Sequence, residues 1–191
     1  MSLESQGRRS TLRGRSSYFQ RYREGFVASK PQLRRANLSD AERIAAFIKR
    51  ARPKVAVNRE DIANRFGHVG FLLAEQNERI IGLLGWQVEN LVVRVTDFLV
   101  LERSDTRLTI GEPLVETMEE QAKDLNAEAI VLYMPAQSRP GLVSYWETLG
   151  YERQDITDMH RAWREAVYEW AEDAETVMIK RLRDDLTHRP M

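Results

Sequence analysis

One carboxylate stands out as a group that can move a proton. Asp97 lies in a mainly apolar segment, Leu91 to Leu101, that is predicted to form a β-strand. Burial in such a strand disfavours the charged form and raises the pKa of a carboxyl group, as a general base requires. The alternative is a partly exposed carboxylate paired with Arg94. Glu102 and Asp105, at the end of the strand, are further candidates for the same role.

Several other catalytic and metal-binding chemistries are excluded by residue content. The 191 residues include no cysteine, so they hold no thiolate zinc site, no disulfide framework and no cysteine nucleophile. The histidines, His68, His160 and His188, are scattered without ligand spacing. We therefore expect no metal site.

Acidic and basic residues balance over the whole chain but not along it. Lys plus Arg and Asp plus Glu both number 29, so no long-range field that attracts nucleic acid or anionic membranes is expected. The first 35 residues nevertheless carry nine Arg and Lys residues against two Glu. Residues 1–30 are predicted to form a basic, largely flexible arm, because their few apolar groups cannot offset the entropy of ordering. The arm could bind a protein partner, or nucleic acid through Arg–phosphate contacts and base stacking, but a solvated tail is the commonest outcome for such a segment and nucleic acid is not expected.

The apolar segments are short. None is long enough to cross a bilayer, and the first residues lack the apolar segment of a secretory signal. We expect a cytoplasmic protein that does not bind membranes. A hydrophobic content of 42% over this length is enough to build one core without disulfides or metals.

The pattern of apolar residues predicts one mixed α/β domain over residues 31–183, followed by a tail, 184–191. The predicted order is a strand, two helices, three strands joined by short polar turns, and then alternating helices and strands. Two Ser/Thr-x-x-Glu capping boxes, Ser39–Glu42 and Thr109–Glu112, mark expected helix starts. Three antiparallel strands followed by a strand–helix–strand crossover imply a mixed, mostly antiparallel central sheet flanked by helices.

This order of elements resembles the GNAT fold of acyl-coenzyme A N-acyltransferases. Gly150 and Tyr151 follow a predicted helix and open a strand, which looks like the helix–glycine–aromatic joint of that family. The segment 97–114 stands where the family has its central strand, pyrophosphate loop and main helix, and 177–182 looks like its last strand. The resemblance covers residues 32–183. It implies direct transfer of an acyl group from acetyl-coenzyme A, or another acyl-coenzyme A, to an amine acceptor.

The resemblance places the pyrophosphate of the cofactor at the start of the main helix. A helix N-terminus offers N–H groups and the positive end of the helix dipole, and glycine lets the backbone approach an anion closely. The residues implied in cofactor binding are Arg107, Thr109, Ile110, Gly111 and Glu112. Gly111 matches the second glycine of the family pattern, but Thr109 replaces the first. Glu112 adds a negative charge, and the Thr109–Glu112 capping box would satisfy this helix end without an anion.

The resemblance also assigns the two proton transfers. Asp97, on the central strand, would accept a proton from the acceptor amine. In the family, a tyrosine often protonates the departing thiolate, and alignment on Gly150 puts Trp146 at that position. Because an indole N–H is not a usable acid, Tyr145 is the candidate acid. It reaches the site only if its helix is rotated; the alternative is that Tyr145 packs in the core.

These departures keep a second interpretation open, in which the chain is a non-catalytic GNAT-like scaffold or regulatory module that binds a protein partner. Trp163 and Trp170 lie on one face of a predicted helix, Asp158 to Ala171. Two tryptophans on one helix face are typical of a core or an interface, and here they suggest a homodimer contact.

Overall fold

The computed structural model describes residues 31–101, 107–135, 141–168 and 174–183. Within this part of the chain, seven strands form a single sheet in the order β1-β2-β3-β4-β5-β7-β6. Their bounds are Gln32–Arg35 (β1), Gly70–Gln76 (β2), Arg79–Glu89 (β3), Val92–Val100 (β4), Ala129–Pro135 (β5), Glu152–Gln154 (β6) and Ala174–Arg181 (β7). Neighbouring strands are antiparallel except β4 and β5, which are parallel. The predicted mixed, mostly antiparallel sheet is confirmed.

Helices cover both faces of the sheet. They are Ala41–Ala51 (α1), Arg59–Arg65 (α2), Glu112–Asp124 (α3), Leu142–Thr148 (α4) and Arg161–Tyr168 (α5). Consecutive residues of a strand point to opposite faces. Leu72 accordingly joins the core under α3 and α4, while Leu73 joins the core under α1 and α2. A third cluster lies under α5, where Trp163 packs on β5 and β7.

The first two helical segments both begin at an asparagine cap, and only the backbone conformation shows which residue is the cap. At α2, the Asn58 side chain accepts from the amides of Glu60 and Asp61, and the Asp61 carboxylate accepts from the Asn58 amide. At the first helix, the predicted Ser39–Glu42 box is wrong. The cap is Asn37, paired with Asp40, and it opens a 3-10 turn that leads into α1. Spacing identified Ser39 as a residue that can cap, but Asn37 is the residue whose extended backbone allows it to do so.

An ion-pair network fastens β1 and β2 to the start of α1. The guanidinium of Arg34 donates to Asp40 Oδ1 at 2.7 Å and Oδ2 at 2.8 Å, and to Glu75 Oε2 at 2.8 Å. Arg43 binds the same two carboxylates, at 3.1 Å and 2.7 Å. The hydrogen bonds from Arg34 lower the pKa of Asp40 to about 2, and they lower the pKa of Glu75 as well. The network therefore favours the charged carboxylates in the folded state.

Asp40→Asn is expected to lower the free energy of unfolding at pH 7 by about 2 kcal/mol. The folded pKa lies below the ordinary value of 3.8, so this contribution is complete above that value and is lost as the pH falls toward 2. The free energies of unfolding of wild type and variant, measured by denaturant titration at a series of pH values, should therefore converge near pH 2. Asp61→Asn is the matched control, because Asp61 has the same place in the α2 capping box but is exposed. An Asp40→Asn deficit that does not change with pH would contradict this account.

The environment of Trp163 differs from the one expected. The ring is 1% exposed and packs against Val92, Ala129 and Ile179, and its Nε1 donates to Glu128 Oε2 at 2.9 Å. Trp163 is thus part of the chain's own core and is not available for a dimer contact. Of the two alternatives for this helix face, core or interface, Trp163 belongs to the core, packed on β5 and β7.

Other predictions fall on residues that the structure does not describe. These are the arm, 1–30, the tail, 184–191, the alternative bases Glu102 and Asp105, and Trp170 and His188. Among the described residues, no helix combines the length and the apolarity needed to cross a membrane.

Candidate functional site

A cleft opens in the middle of the sheet, where the two parallel strands separate. Strands β4 and β5 pair over only three positions, the last of which is Arg94 opposite Val131. Beyond that point β4 continues to Val100 and β5 to Pro135 without pairing to each other. The space between them measures about 110 Å³. Because each strand keeps its other neighbour, one backbone edge of each faces the cleft and can bind an extended ligand.

A β-bulge lies at the mouth of this cleft. Trp86 on β3 pairs with Val95 and Gly85 pairs with Asp97, so Thr96 is an extra residue in β4. A bulge bends its strand and redirects the side chains that follow, and bulges often lie beside active sites. A Cβ atom at Gly85 would lie 2.7 Å from Thr96 Oγ1 and 2.9 Å from Asp97 Oδ2. The absence of a side chain at Gly85 therefore leaves room for the bulge. No pattern in the sequence pointed to this glycine.

Asp97 is buried in the cleft wall and is part of an ion pair. Its Oδ2 accepts from the guanidinium of Arg65 on α2, and from Thr96 Oγ1 at 3.0 Å. The predicted burial of Asp97 is confirmed, since the residue is 7% exposed. The alternative, a pairing with Arg94, is wrong. Arg94 instead donates to Gln87, its partner across the β3–β4 ladder, at 2.9 Å.

The start of α3 differs from the predicted capped helix. A π-helical turn, Arg107–Gly111, runs directly into α3, and no side chain caps the junction. The predicted Thr109–Glu112 capping box is wrong, because a capping residue needs an extended backbone and Thr109 lies inside a helical turn. Thr109 and Glu112 are both exposed. The positive end of the helix dipole thus lies at the π-helical turn.

Gly111 is positioned by packing. A Cβ atom there would lie 2.5 Å from Tyr145 Oη and 3.0 Å from Phe98 Cζ. The rings of Tyr145 and Phe98 stack with centroids 5.8 Å apart. Ile110, the preceding residue, is 2% exposed and belongs to the core under α3. Gly111, predicted to bind the cofactor, and Tyr145, the candidate acid, are therefore neighbours in the structure.

Trp146, not Tyr145, is on the cleft side of α4. Trp146 and Leu142, one helical turn apart, line the cleft, and the Trp146 ring lies 5.0 Å from that of Phe98. Tyr145 faces the start of α3. Helix α4 is therefore not rotated in the way that would bring Tyr145 into the cleft.

Two further cleft residues were missed by the sequence analysis. Tyr133, on β5, lines the cleft, and burial raises the pKa of its hydroxyl above the ordinary value. The sequence feature that could have identified Tyr133 is its hydroxyl, the one polar side-chain group in an otherwise apolar strand. Arg52 lines the cleft from the residue that follows α1. Nothing in its sequence context distinguishes it from other surface arginines.

No family model matches the sequence, and no curated protein matches it. Solved structures do match the fold. An acetyltransferase of the GNAT family from Staphylococcus aureus Mu50 has a TM-score of 0.61 at 17% identity, over 80% of this chain and 99% of that one. The PaiA N-acetyltransferase from Thermoplasma acidophilum, in complex with coenzyme A, has a TM-score of 0.59 at 16% identity, over 79% and 98%. The ribosomal-protein-S18-alanine N-acetyltransferase from Escherichia coli has a TM-score of 0.61 at 13% identity, over 83% and 99%.

Proposed function

We propose that this chain, which has the GNAT fold, is an N-acyltransferase that moves an acyl group from acetyl-coenzyme A, or another acyl-coenzyme A, to an amine. The observation that carries the proposal is the cleft between β4 and β5. Its lining includes Phe98, which also contacts Gly111 at the start of α3. The start of α3 and the cleft are therefore neighbours, separated by the side chain of Phe98.

The start of α3 is where the pyrophosphate of the cofactor would bind. Arg107, Thr109, Ile110 and Gly111 form the turn whose dipole favours an anion. Glu112 opposes it, because its exposed carboxylate lies in the first turn of α3. The residues thus fit an anion, with less favourable electrostatics than a turn without an acidic neighbour.

The chemistry is attack of the amine nitrogen on the thioester carbonyl, in which a C–N bond forms and the C–S bond breaks. An ammonium acceptor releases two protons over the reaction, one of which ends on the departing thiolate. Both hydrogen bonds to Asp97 end on Oδ2, so Oδ1 is the oxygen that would take a proton from the amine. Holding the two substrates in line supplies much of the rate without a dedicated acid.

A non-catalytic scaffold is the second candidate function. It is favoured by Trp146 at the position where a tyrosine acid is expected, and by the carboxylate of Glu112 beside the anion site. On this interpretation the basic arm, 1–30, binds a protein partner.

Calorimetric titration with acetyl-coenzyme A, and with a longer acyl-coenzyme A, tests the proposal. Leu142→Trp fills the cleft from the first residue of α4 and is expected to weaken acetyl-coenzyme A binding at least about 30-fold, or about 2 kcal/mol. Glu147→Trp adds the same side chain to the exposed face of that helix and should bind as wild type does.

The outcomes separate the candidates. Micromolar binding by wild type, lost in Leu142→Trp, supports the acyltransferase. If a folded wild-type protein binds neither ligand, the acyltransferase proposal fails and the scaffold stands. Binding that Leu142→Trp leaves unchanged would show that the cleft is not the site.

A further inference from the structure

The charge in the cleft is not balanced. Of the lining residues in the described part of the chain, Arg52 and Asp97 carry a full charge. The charge of Asp97 is matched by Arg65, which pairs with it from α2. The guanidinium of Arg52 has no carboxylate or hydrogen-bond partner among the described residues, where only its backbone is bonded. The uncompensated charge that the cleft presents to a ligand is therefore positive.

Arg52 stands on the side from which a second substrate can enter. Helices α3 and α4 close one face of the cleft, where Leu142 and Trp146 line it. Arg52 follows α1, which packs on the opposite face of the sheet. The acyl donor would come from the start of α3, so the acceptor would approach past Arg52 and Tyr133 toward Asp97.

We propose, building on the acyltransferase function, that the acceptor is a small amine that also bears a carboxylate, as a free amino acid does, and that Arg52 binds this carboxylate. A guanidinium presents two parallel N–H donors that match the two oxygens of a carboxylate. Tyr133 lines the same cleft.

The same charges argue against cationic acceptors. A polyamine or an aminoglycoside would bring additional positive groups next to Arg52, while the carboxylate that should attract them is already paired with Arg65. Repulsion of this kind is how a site rejects a competing ligand that has the same reactive group. Arg52 is thus a specificity-determining residue that acts on the acceptor and not on the acyl donor.

An acceptor panel tests this proposal in the full-length protein. With acetyl-coenzyme A fixed, the release of free coenzyme A thiol is followed for the free amino acids, for their carboxamides, and for spermidine. We expect at least one amino acid to have a kcat/KM about tenfold or more above that of its carboxamide. Arg52→Gln should remove this preference and leave acetyl-coenzyme A affinity unchanged, and Arg52→Lys should retain part of it.

Lys54→Gln is the matched control, because Lys54 is an exposed cation two residues from Arg52 that does not line the cleft. It should keep the carboxylate preference. The inference is overturned if amides or spermidine are acetylated as well as amino acids, if Arg52→Gln keeps the preference, or if acetyl-coenzyme A binds and no amino acid is acetylated. If any amine is acetylated in these experiments, the proposed acyltransferase function still holds even though the inference about Arg52 fails. Failure of acetyl-coenzyme A to bind is the distinct result that removes both.

Discussion

Asp97→Asn is expected to reduce the acyl-transfer rate about 100-fold or more, and to lower the free energy of unfolding by about 2 to 4 kcal/mol. The rate falls because the amide cannot take the proton of the acceptor amine. Stability falls because Arg65, which is 27% exposed, loses its carboxylate. Acetyl-coenzyme A affinity should not change, since the proposal gives Asp97 to the acceptor and the acyl donor to the start of α3.

The two effects can be separated by removing the other half of the ion pair. In the double variant Asp97→Asn with Arg65→Met, no charge is left without a partner, so much of the lost stability should return. The rate should stay low, because the base is still missing. Denaturant unfolding measures the stability of each variant, and release of the coenzyme A thiol measures its acyl-transfer rate on the same preparation. Glu89→Gln is the control, because it weakens a 4.0 Å ion pair with Arg94 outside the cleft.

If the double variant recovers the rate together with the stability, Asp97 is a structural partner of Arg65 and not the base. The pH profile gives a second test of the same point. A base that must be ionised produces a fall in kcat/KM on the acid side, and that limb should be absent in Asp97→Asn.

The fold was predictable from the sequence because its signals are local. Richness in Val, Ile, Leu and Phe between short polar turns identified β3 and β4, and in the polar turn before β3 Asn77 and Glu78 adopt positive φ values of 50° and 62°. The order of such elements then restricted the topology to a small set. The capping boxes failed at both Ser39 and Thr109. Spacing identifies residues that can cap, but the backbone conformation decides which of them does.

The site was less predictable because its contacts are long-range. Asp97 and its partner Arg65 are 32 positions apart, on a strand and a helix that the sequence does not link. The bulge at Thr96 depends on Gly85 in another strand, and the separation of β4 from β5 involves two strands that are distant in the chain. A sequence pattern can identify Asp97 as a candidate, but it cannot identify Arg65 as the partner of Asp97 or the cleft that Asp97 lines.

Gly111→Ala is expected to lower the free energy of unfolding by about 1 to 3 kcal/mol, because the new methyl group meets the Tyr145 hydroxyl 2.5 Å away. Acetyl-coenzyme A affinity should fall about tenfold, since relief of the clash must shift the helix start where we propose that the anion binds. Gly67→Ala is the control. The nearest atom to a Cβ at Gly67 is 4.0 Å away, so a change within about 0.5 kcal/mol is expected.

Adding Tyr145→Phe removes the atom that causes the clash. In the double variant Gly111→Ala with Tyr145→Phe, the loss of stability should be smaller than the sum of the single losses by about 1 kcal/mol or more. Phe98 Cζ, 3.0 Å from the same point, limits the recovery. Thermal and denaturant unfolding of the four proteins complete the cycle, and additive losses would contradict the packing account.

The affinity of the double variant then distinguishes two reasons for a glycine at this position. If Gly111 is needed only to accommodate Tyr145, stability and acetyl-coenzyme A affinity should return together. If the backbone of Gly111 must approach the pyrophosphate, the methyl group still blocks the anion, and affinity should stay low while stability returns. The second result would identify the π-helical turn as the anion site, because no effect on packing would then remain to explain the loss of binding.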